Sequence, residues 1–238
     1  MRVAVVGYGK MGREVESVLR ERGHDPVIIR QRASFPVACP VGIDFTRAEA
    51  VLANAEAALQ AGARYVIGTT GWESSMDDLR ALVTAGQGGV VHAANFSVGV
   101  NLFYRIVREA ARTLAPFADY DPYVLERHHR QKKDTPSGTA RALAEIVEQA
   151  GGQRRRAVTS LSEPLKAEEF LVSAVRAGGI VGEHTVGFDS GGDEILLEHR
   201  ARSRRGFALG AVLAAEWIAT RTGVFGFDAV LADLAERV

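Results

Sequence analysis

The chain has a single cysteine, Cys39, in 238 residues, so it can form no internal disulfide and suits a reducing compartment. It has no apolar run near the roughly 18–20 residues that a membrane span requires. It has no charge excess either: 29 basic residues balance 29 acidic ones, which speaks against a surface built for nucleic acid. Low-complexity tracts and internal repeats are missing. A strand-like segment follows Met1 at once and leaves no room for a signal peptide. A cytoplasmic protein with no membrane or nucleic-acid partner is expected. What the chain does have, 47% hydrophobic and 24% charged residues, is enough for one large domain or two modest ones, each with its own core.

Short apolar runs at 2–6, 27–29, 42–45, 65–67 and 90–92 alternate with segments of helical spacing. Met11, Val15, Val18 and Leu19 mark the first helix, with Gly23 as its stop. Thr46 is a candidate cap for an alanine-rich helix reaching Ala61, and a further helix is predicted over 74–85. Strands alternating with helices at these lengths predict a parallel sheet covered on both faces. After Asn95 the pattern changes. Residues 98–115 predict a long helix whose apolar face carries Val98, Leu102, Phe103, Ile106, Val107, Ala110 and Leu114. Residues 121–126 read as extended, 137–150 as helical and 153–169 as an exposed polar connection. Strand-like runs at 170–176, 184–189 and 194–201, separated by glycine-rich turns, predict an open antiparallel or mixed sheet. Helices near 207–221 and 226–236 close the chain. The expected fold is α/β: a Rossmann-type parallel-sheet domain over 1–97, completed by 206–238, and a second α+β domain over 98–205 carrying an open mixed sheet.

Between the first strand and first helix stand Gly7, Tyr8, Gly9, Lys10, Met11 and Gly12, a G-x-G-x-x-G loop. The first glycine allows the tight turn, the second lets a pyrophosphate approach the backbone, and the third permits close helix–strand packing. The helix start offers unpaired N–H groups to phosphate. This context predicts a dinucleotide site. The acid expected about 20 residues on, which would bind a ribose 2′-hydroxyl, is missing. The second strand ends in Arg30-Gln31-Arg32 instead. Either arginine could meet the 2′-phosphate of NADP, or both could be solvated loop residues. Gly68-Thr69-Thr70-Gly71 and Ala93-Ala94-Asn95-Phe96 follow later parallel strands and fall at the same carboxyl edge, where ligands of open α/β sheets lie.

Residues 126–139 read Glu-Arg-His-His-Arg-Gln-Lys-Lys-Asp-Thr-Pro-Ser-Gly-Thr. Adjacent His128 and His129 point to opposite sides of an extended backbone, and no acidic partner stands at ligand spacing, so no metal is expected. Histidine titrates near neutrality and suits general acid–base work; Lys132 can stabilise an oxyanion or donate a proton. Ser137, Gly138 and Thr139 open a helix whose N-terminus suits a carboxylate; the alternative reading is that Ser137 and Thr139 simply cap it. His184 and His199 fall on the second-domain strands without a partner legible in the sequence.

With these segments in view, the chain resembles the dihydrodipicolinate reductase family, which acts on the diaminopimelate route to lysine. The likeness runs through Gly7–Gly12, Asp44-Phe45-Thr46, Gly68–Gly71, the 94–101 run Ala-Asn-Phe-Ser-Val-Gly-Val-Asn, residues 128–139 and residues 176–185. It implies that His128 is the catalytic acid/base and Lys132 the second proton donor, with His129, Gly138 and Thr139 as substrate contacts; Ser137 belongs with these. Cofactor contacts would come from Gly7–Gly12, Gly68–Thr70 and Ala93–Phe96, and Arg204 is placed with them. The resemblance implies reduction of a cyclic dicarboxylate by NADH or NADPH in a homotetramer built through the second-domain sheets. The chain departs from the pattern in its glycine loop, one residue shorter than in many members, in Gln131 where many carry histidine, in Arg30 in place of an acid, and in a shorter 153–169 connection. Another dehydrogenase of the same scaffold would need a different substrate motif than 126–139. A non-enzymatic nucleotide sensor would not need His128 and Lys132 beside a carboxylate-binding helix start.

Overall fold

The structure, a computed structural model, describes residues 1–30, 35, 38–151 and 155–236. The chain forms two compact units, one of Met1–Val98 together with the chain from Arg204 on, the other of Gly99–Ser203.

The first unit is built on six parallel strands: β1 (Arg2–Val6), β2 (Asp25–Ile29), β3 (Val41–Asp44), β4 (Arg64–Ile67), β5 (Gly89–His92) and β11 (Gly223–Gly226). Their order is β11-β5-β4-β3-β1-β2, so the direction of winding reverses beside β1. Helices cover both faces. On one lie α1 (Lys10–Glu21), α6 (Arg205–Ile218) and α7 (Phe227–Ala235), where Val15, Leu19, Ala211 and Trp217 pack against Val3, Val5 and Ile43. On the other lie α2 (Ala48–Gln60) and α3 (Met76–Ala85), against Ala4, Tyr65 and Ile67. Two-sided cover explains why these strands read as unbroken apolar runs. Gly23, at φ +77°, follows α1 in the left-handed conformation that ends helices. Two expectations change here. Arg47, not Thr46, occupies the cap position of α2, because Thr46 is held by Asp44. Strand β11, four residues between two helices, has too little pattern to be read from sequence.

The second unit has five strands: β6 (Asp121–His128), β7 (Arg156–Val158), β8 (Glu169–Arg176), β9 (Gly182–Asp189) and β10 (Glu194–Ala201). Their order is β10-β9-β6-β8-β7; β6 runs parallel to β8 and antiparallel to β9, a mixed sheet. Helices α4 (Val98–Leu114) and α5 (Gly138–Gly151) supply Phe103, Val107, Leu143 and Val147 to a core against Val124, Phe170, Val172 and Val186. The buried stripe of α4 is Val100, Phe103, Val107 and Ala111, while Leu102 and Ile106 are 44% and 55% exposed. The helix carries two neighbouring apolar stripes, and periodicity alone could not choose between them. Within the stretch expected to be only a connection, β7 adds a short edge strand.

Along β6 burial alternates strictly, with Pro122, Val124, Glu126 and His128 on the buried face. The strand thus carries its apolar pattern into two polar residues at its end, and these need partners inside the fold.

Candidate active site

At the carboxyl edge of the parallel sheet the glycine loop has the required shape. Gly7 sits at φ +87°, and a Cβ there would lie 2.6 Å from the Phe45 carbonyl oxygen. A Cβ on Gly12 would lie 2.2 Å from the Gly7 oxygen, so α1 can approach the loop only with glycine at this point. Gly9 is the opposite case: a Cβ would meet nothing within 4 Å, and no side chain caps α1 there. An open approach to an uncapped helix start is what a pyrophosphate needs. Lys10 is exposed at the first turn, and Met11 leans on the core behind it.

The loops after β3 and β4 are tied together by a carboxylate that sequence reading did not single out. Asp44, fully buried, accepts hydrogen bonds from Thr46 N and Oγ1 (2.8 and 2.6 Å), Asn54 Nδ2 (3.0 Å), Tyr65 OH (2.9 Å) and Thr69 Oγ1 (2.9 Å). Burial, and then this carboxylate, push the Tyr65 phenol well above its ordinary pKa. Trp72 Nε1 holds the Thr69 carbonyl at 2.8 Å. Thr69 Oγ1 also accepts from Thr46 N at 2.8 Å, so Thr69 is fixed at three points, while Thr70 beside it is exposed. Gly68 is required by packing, since a Cβ would strike the Phe45 ring at 2.2 Å. After β5, Asn95 Oδ1 accepts the Ser97 N–H at 2.8 Å, and Phe96 packs on Phe227, with Ala93 half-buried and Ala94 exposed.

Arg30 lies with its guanidinium 4.6 Å from the centre of the Tyr8 ring, whose hydroxyl donates to Glu16. Arg30, Gly7, Thr46 and Arg47 line one cavity of about 1100 Å³. Arg47 is a second cation of this rim that sequence reading missed. Arg32 falls outside the described residues. Arg204 is exposed at the start of α6, where its carbonyl accepts the Phe207 and Ala208 N–H groups. The loop, the uncapped helix and the cationic rim fit a nicotinamide dinucleotide.

In the second unit, the end of β6 meets β8, β9 and the start of α5. Strand register sets Glu126 opposite His184 on β9, and His128 opposite Arg176 on β8. Glu126 is fully buried. Its Oε1 accepts from Ser137 N at 2.9 Å and from Arg176 Nη2 at 2.7 Å. Its Oε2 lies 3.0 Å from His128 Nδ1 and 3.7 Å from His184 Nε2. The two imidazoles stand edge to face, their centres 5.1 Å apart. Burial alone would raise the Glu126 pKa, but contacts to His128, Ser137 and Arg176 outweigh it and hold the carboxyl well below the usual range. Burial, followed by the adjacent His128, pushes His184 down to about 4.

The sequence reading that no acidic residue lies at ligand spacing from the histidines is thus corrected, as is the view of His184 as without a named partner. Glu126 stands two residues before His128, on the same face of the strand, a spacing that could have been read. His184 arrives through strand pairing, which the sequence does not display. These three side chains bring ligand atoms within 4.8 Å of one another. Arg176 Nη2 forms an ion pair with the Glu126 carboxylate at 2.7 Å.

Lys132 pairs with Asp134 at 2.9 Å, and the Asp134 carbonyl accepts from Arg176 Nη2 at 2.7 Å, linking the lysine to the same network. His129 is half-buried, and its Nδ1 has no hydrogen-bond partner. Ser137 is buried and caps α5, its Oγ accepting from Ala140 N at 3.2 Å. Gly138 is exposed, and a Cβ there would meet nothing within 4 Å, which leaves the helix start open. The Thr139 side chain meets the Tyr104 hydroxyl. A Cβ on Gly182 would come 3.0 Å from His128 Nε2, so glycine keeps the space before that nitrogen clear.

Comparison with known proteins decides the family. Residues 24–96 match the family model for the N-terminus of dihydrodipicolinate reductase, and residues 99–231 match the model for its C-terminus. The chain belongs to the dihydrodipicolinate reductase family. The 4-hydroxy-tetrahydrodipicolinate reductase of Methanoculleus marisnigri is 43% identical over 190 residues, covering 79% of this chain and 74% of the relative. That of Christiangramia forsetii is 35% identical over 240 residues, covering 98% and 99%. Among solved structures, the dipicolinate-bound dihydrodipicolinate reductase of Paenisporosarcina sp. TG-14 superposes with a TM-score of 0.75 at 23% identity, covering 95% of this chain and 97% of that one. The chain is therefore an oxidoreductase with a nicotinamide dinucleotide as its cofactor. Among the described residues no helix is long and apolar enough to cross a membrane.

Proposed function

We infer that this chain reduces 4-hydroxy-tetrahydrodipicolinate to tetrahydrodipicolinate on the diaminopimelate route to lysine, with His128 and Lys132 as its proton-handling groups and no metal. The observation that carries the residue roles is the linked network at the end of β6, which runs from Lys132 through Asp134, Arg176 and Glu126 to His128 beside the start of α5.

A reduced nicotinamide held on the glycine loop would supply the hydride, and the 4-hydroxyl leaves as water, so that the net change replaces hydroxyl by hydrogen. His128 holds the matching proton at Nε2, the ring nitrogen turned away from Glu126. The Lys132 ammonium is held by Asp134 and can exchange that carboxylate for one of the substrate, or donate a proton to nitrogen. The open helix start at Gly138 and Thr139 offers N–H groups and the favourable end of the helix dipole to a substrate carboxylate, with His129 beside it. Ser137 contributes by capping that helix and by giving its N–H to Glu126.

Cofactor contacts are assigned to residues 7–12, 68–70 and 93–96, with Arg204 following at the start of α6. Arg30, with Arg47 on the same rim, favours the 2′-phosphate, so NADPH serves at least as well as NADH. A homotetramer is supported by β10, an edge strand on which Ile195 and Leu196 are 37% and 53% exposed; apolar edges are normally covered. Buried, lone Cys39 accords with a reducing cytoplasm.

Replacing His128 by Gln or Lys132 by Ala should each lower kcat by about 10²–10⁴-fold, the usual cost of losing a general acid. Nucleotide binding, followed by fluorescence, should stay at the wild-type level. Near-normal kcat in either variant would remove that residue from the chemistry.

A further inference from the structure

Among the buried polar atoms of the second unit without a hydrogen bond of good geometry, His128 Nδ1 and Glu126 Oε2 lie 3.0 Å from each other. The other carboxylate oxygen is fully engaged by Arg176 and the Ser137 N–H. A carboxylate anchored on one side and left open toward an imidazole on the other is arranged to receive the ring's proton. We propose that Glu126 is the positioning residue of His128: it accepts the Nδ1–H, fixes that tautomer and ring orientation, and so makes Nε2 the nitrogen that exchanges protons with the substrate. This rests on the assignment of His128 as the acid/base.

The geometry excludes the reverse arrangement. With Nε2 as the protonated nitrogen of the neutral ring, Nδ1 would turn a lone pair toward an ionised oxygen at 3.0 Å, and both atoms would stay buried and unsatisfied. The present contact is off-axis, as hydrogen bonds of catalytic groups often are before substrate arrives, and a small ring rotation aligns it. Other groups around the ring do not compete for the role. His184 from β9 faces the same Oε2 at 3.7 Å, beyond a hydrogen bond, and burial keeps it uncharged at neutral pH. Arg176 from β8 gives its Nη2 to Oε1 and the Asp134 carbonyl and its Nη1 to the Val175 carbonyl. Lys132 is paired with Asp134, and His199 of β10 stands behind His184.

The proton balance follows. Before turnover the ring is an imidazolium with Nδ1–H on Glu126 and a proton on Nε2. The substrate loses its 4-hydroxyl as water and gains a hydride; with the hydride the Nε2–H bond breaks and that proton goes to the substrate. The ring is left neutral as the Nδ1–H tautomer, Glu126 stays ionised, and water returns a proton to Nε2.

The test has two arms. Glu126→Gln keeps the size but removes the charge; kcat should fall at least about 10²-fold, as when the orienting carboxylate of a histidine base is amidated. The high-pH limb of the kcat profile should move to lower pH, because an imidazolium without its carboxylate loses its proton more easily. Glu126→Asp should restore that limb toward wild type and part of kcat. Nucleotide affinity should be unchanged in both. The second arm needs no folded variant at position 126: nitrogen NMR of the wild-type imidazoles above the histidine pKa, with His128→Gln used to assign the signal, should show His128 protonated at Nδ1. A wild-type kcat and pH limb in Glu126→Gln, or a His128 ring protonated at Nε2, overturns the proposal. Failure of the wild-type enzyme to turn over overturns the functional reading instead, and the NMR result still decides the tautomer.

Discussion

Burial first, and then the neighbouring His128, hold the pKa of His184 at about 4, so its ring is uncharged at neutral pH. The consequence for stability has a definite sign. A histidine whose folded pKa lies below its unfolded value of about 6.5 binds its proton more readily when unfolded, so stability is full above that value and declines as pH falls toward 4. Between pH 7.5 and 5 the loss from this one group is about 2 kcal/mol. Urea unfolding at the two pH values should show it in wild type, and His184→Gln should have a smaller pH dependence; an equal dependence would mean that His184 is not held neutral. Arg30 poses a second question at the same scale. A charge-assisted hydrogen bond to a 2′-phosphate is worth about 1.5–3 kcal/mol. Arg30→Asp should therefore raise KM for NADPH by roughly 10-fold or more while leaving NADH nearly unchanged, with a smaller difference at high salt. Equal effects on both nucleotides would make Arg30 a surface residue stacked on Tyr8, and would pass the phosphate contact to Arg47.

At the scale of elements, β9 presses on the site through a residue without a side chain. A Cβ on Gly182 would sit 3.0 Å from His128 Nε2 and 3.4 Å from Cδ2, so Gly182→Ala should tilt the imidazole. We expect kcat to drop with nucleotide affinity and unfolding midpoint close to wild type, and an unchanged kcat would show that the space before Nε2 is not used. The same positions show what sequence can and cannot display. The glycine loop was legible because each glycine answers a local demand: a positive φ at Gly7, a close helix at Gly12, an open approach at Gly9. Segment 126–139 was legible as chemistry, since His128, Lys132 and a helix start occur within one turn and loop. Glu126 was overlooked although its i, i+2 spacing to His128 on a strand was in view. His184, Arg176 and Gly182 were hidden for a better reason: they reach the site through the register of β8 and β9 on β6, which no local pattern encodes. Asp44 likewise read only as part of the strand at 42–45. Its importance lies in bonds to Tyr65 and Thr69, both more than 20 residues away.

The molecule as a whole divides its task. The parallel sheet carries the glycine loop, to which the nucleotide is assigned, and the mixed sheet carries the Glu126–His128 network proposed to handle protons, each supported within its own unit. The second unit also carries the exposed apolar edge strand, and Leu196→Asp should shift the particle mass measured by light scattering from tetramer to smaller species. A mass that does not change would place the interface elsewhere. The central claim is that this molecule is a reductase specific for a cyclic dicarboxylate, and it is tested most directly by nicotinamide absorbance in a coupled assay. Pyruvate and aspartate semialdehyde are converted by purified dihydrodipicolinate synthase in the same cuvette. NADPH should be oxidised only when synthase, both of its substrates and this protein are all present, and His128→Gln should abolish most of that signal. Oxidation that ignores the synthase product, or tight nucleotide binding without turnover, would contradict the account.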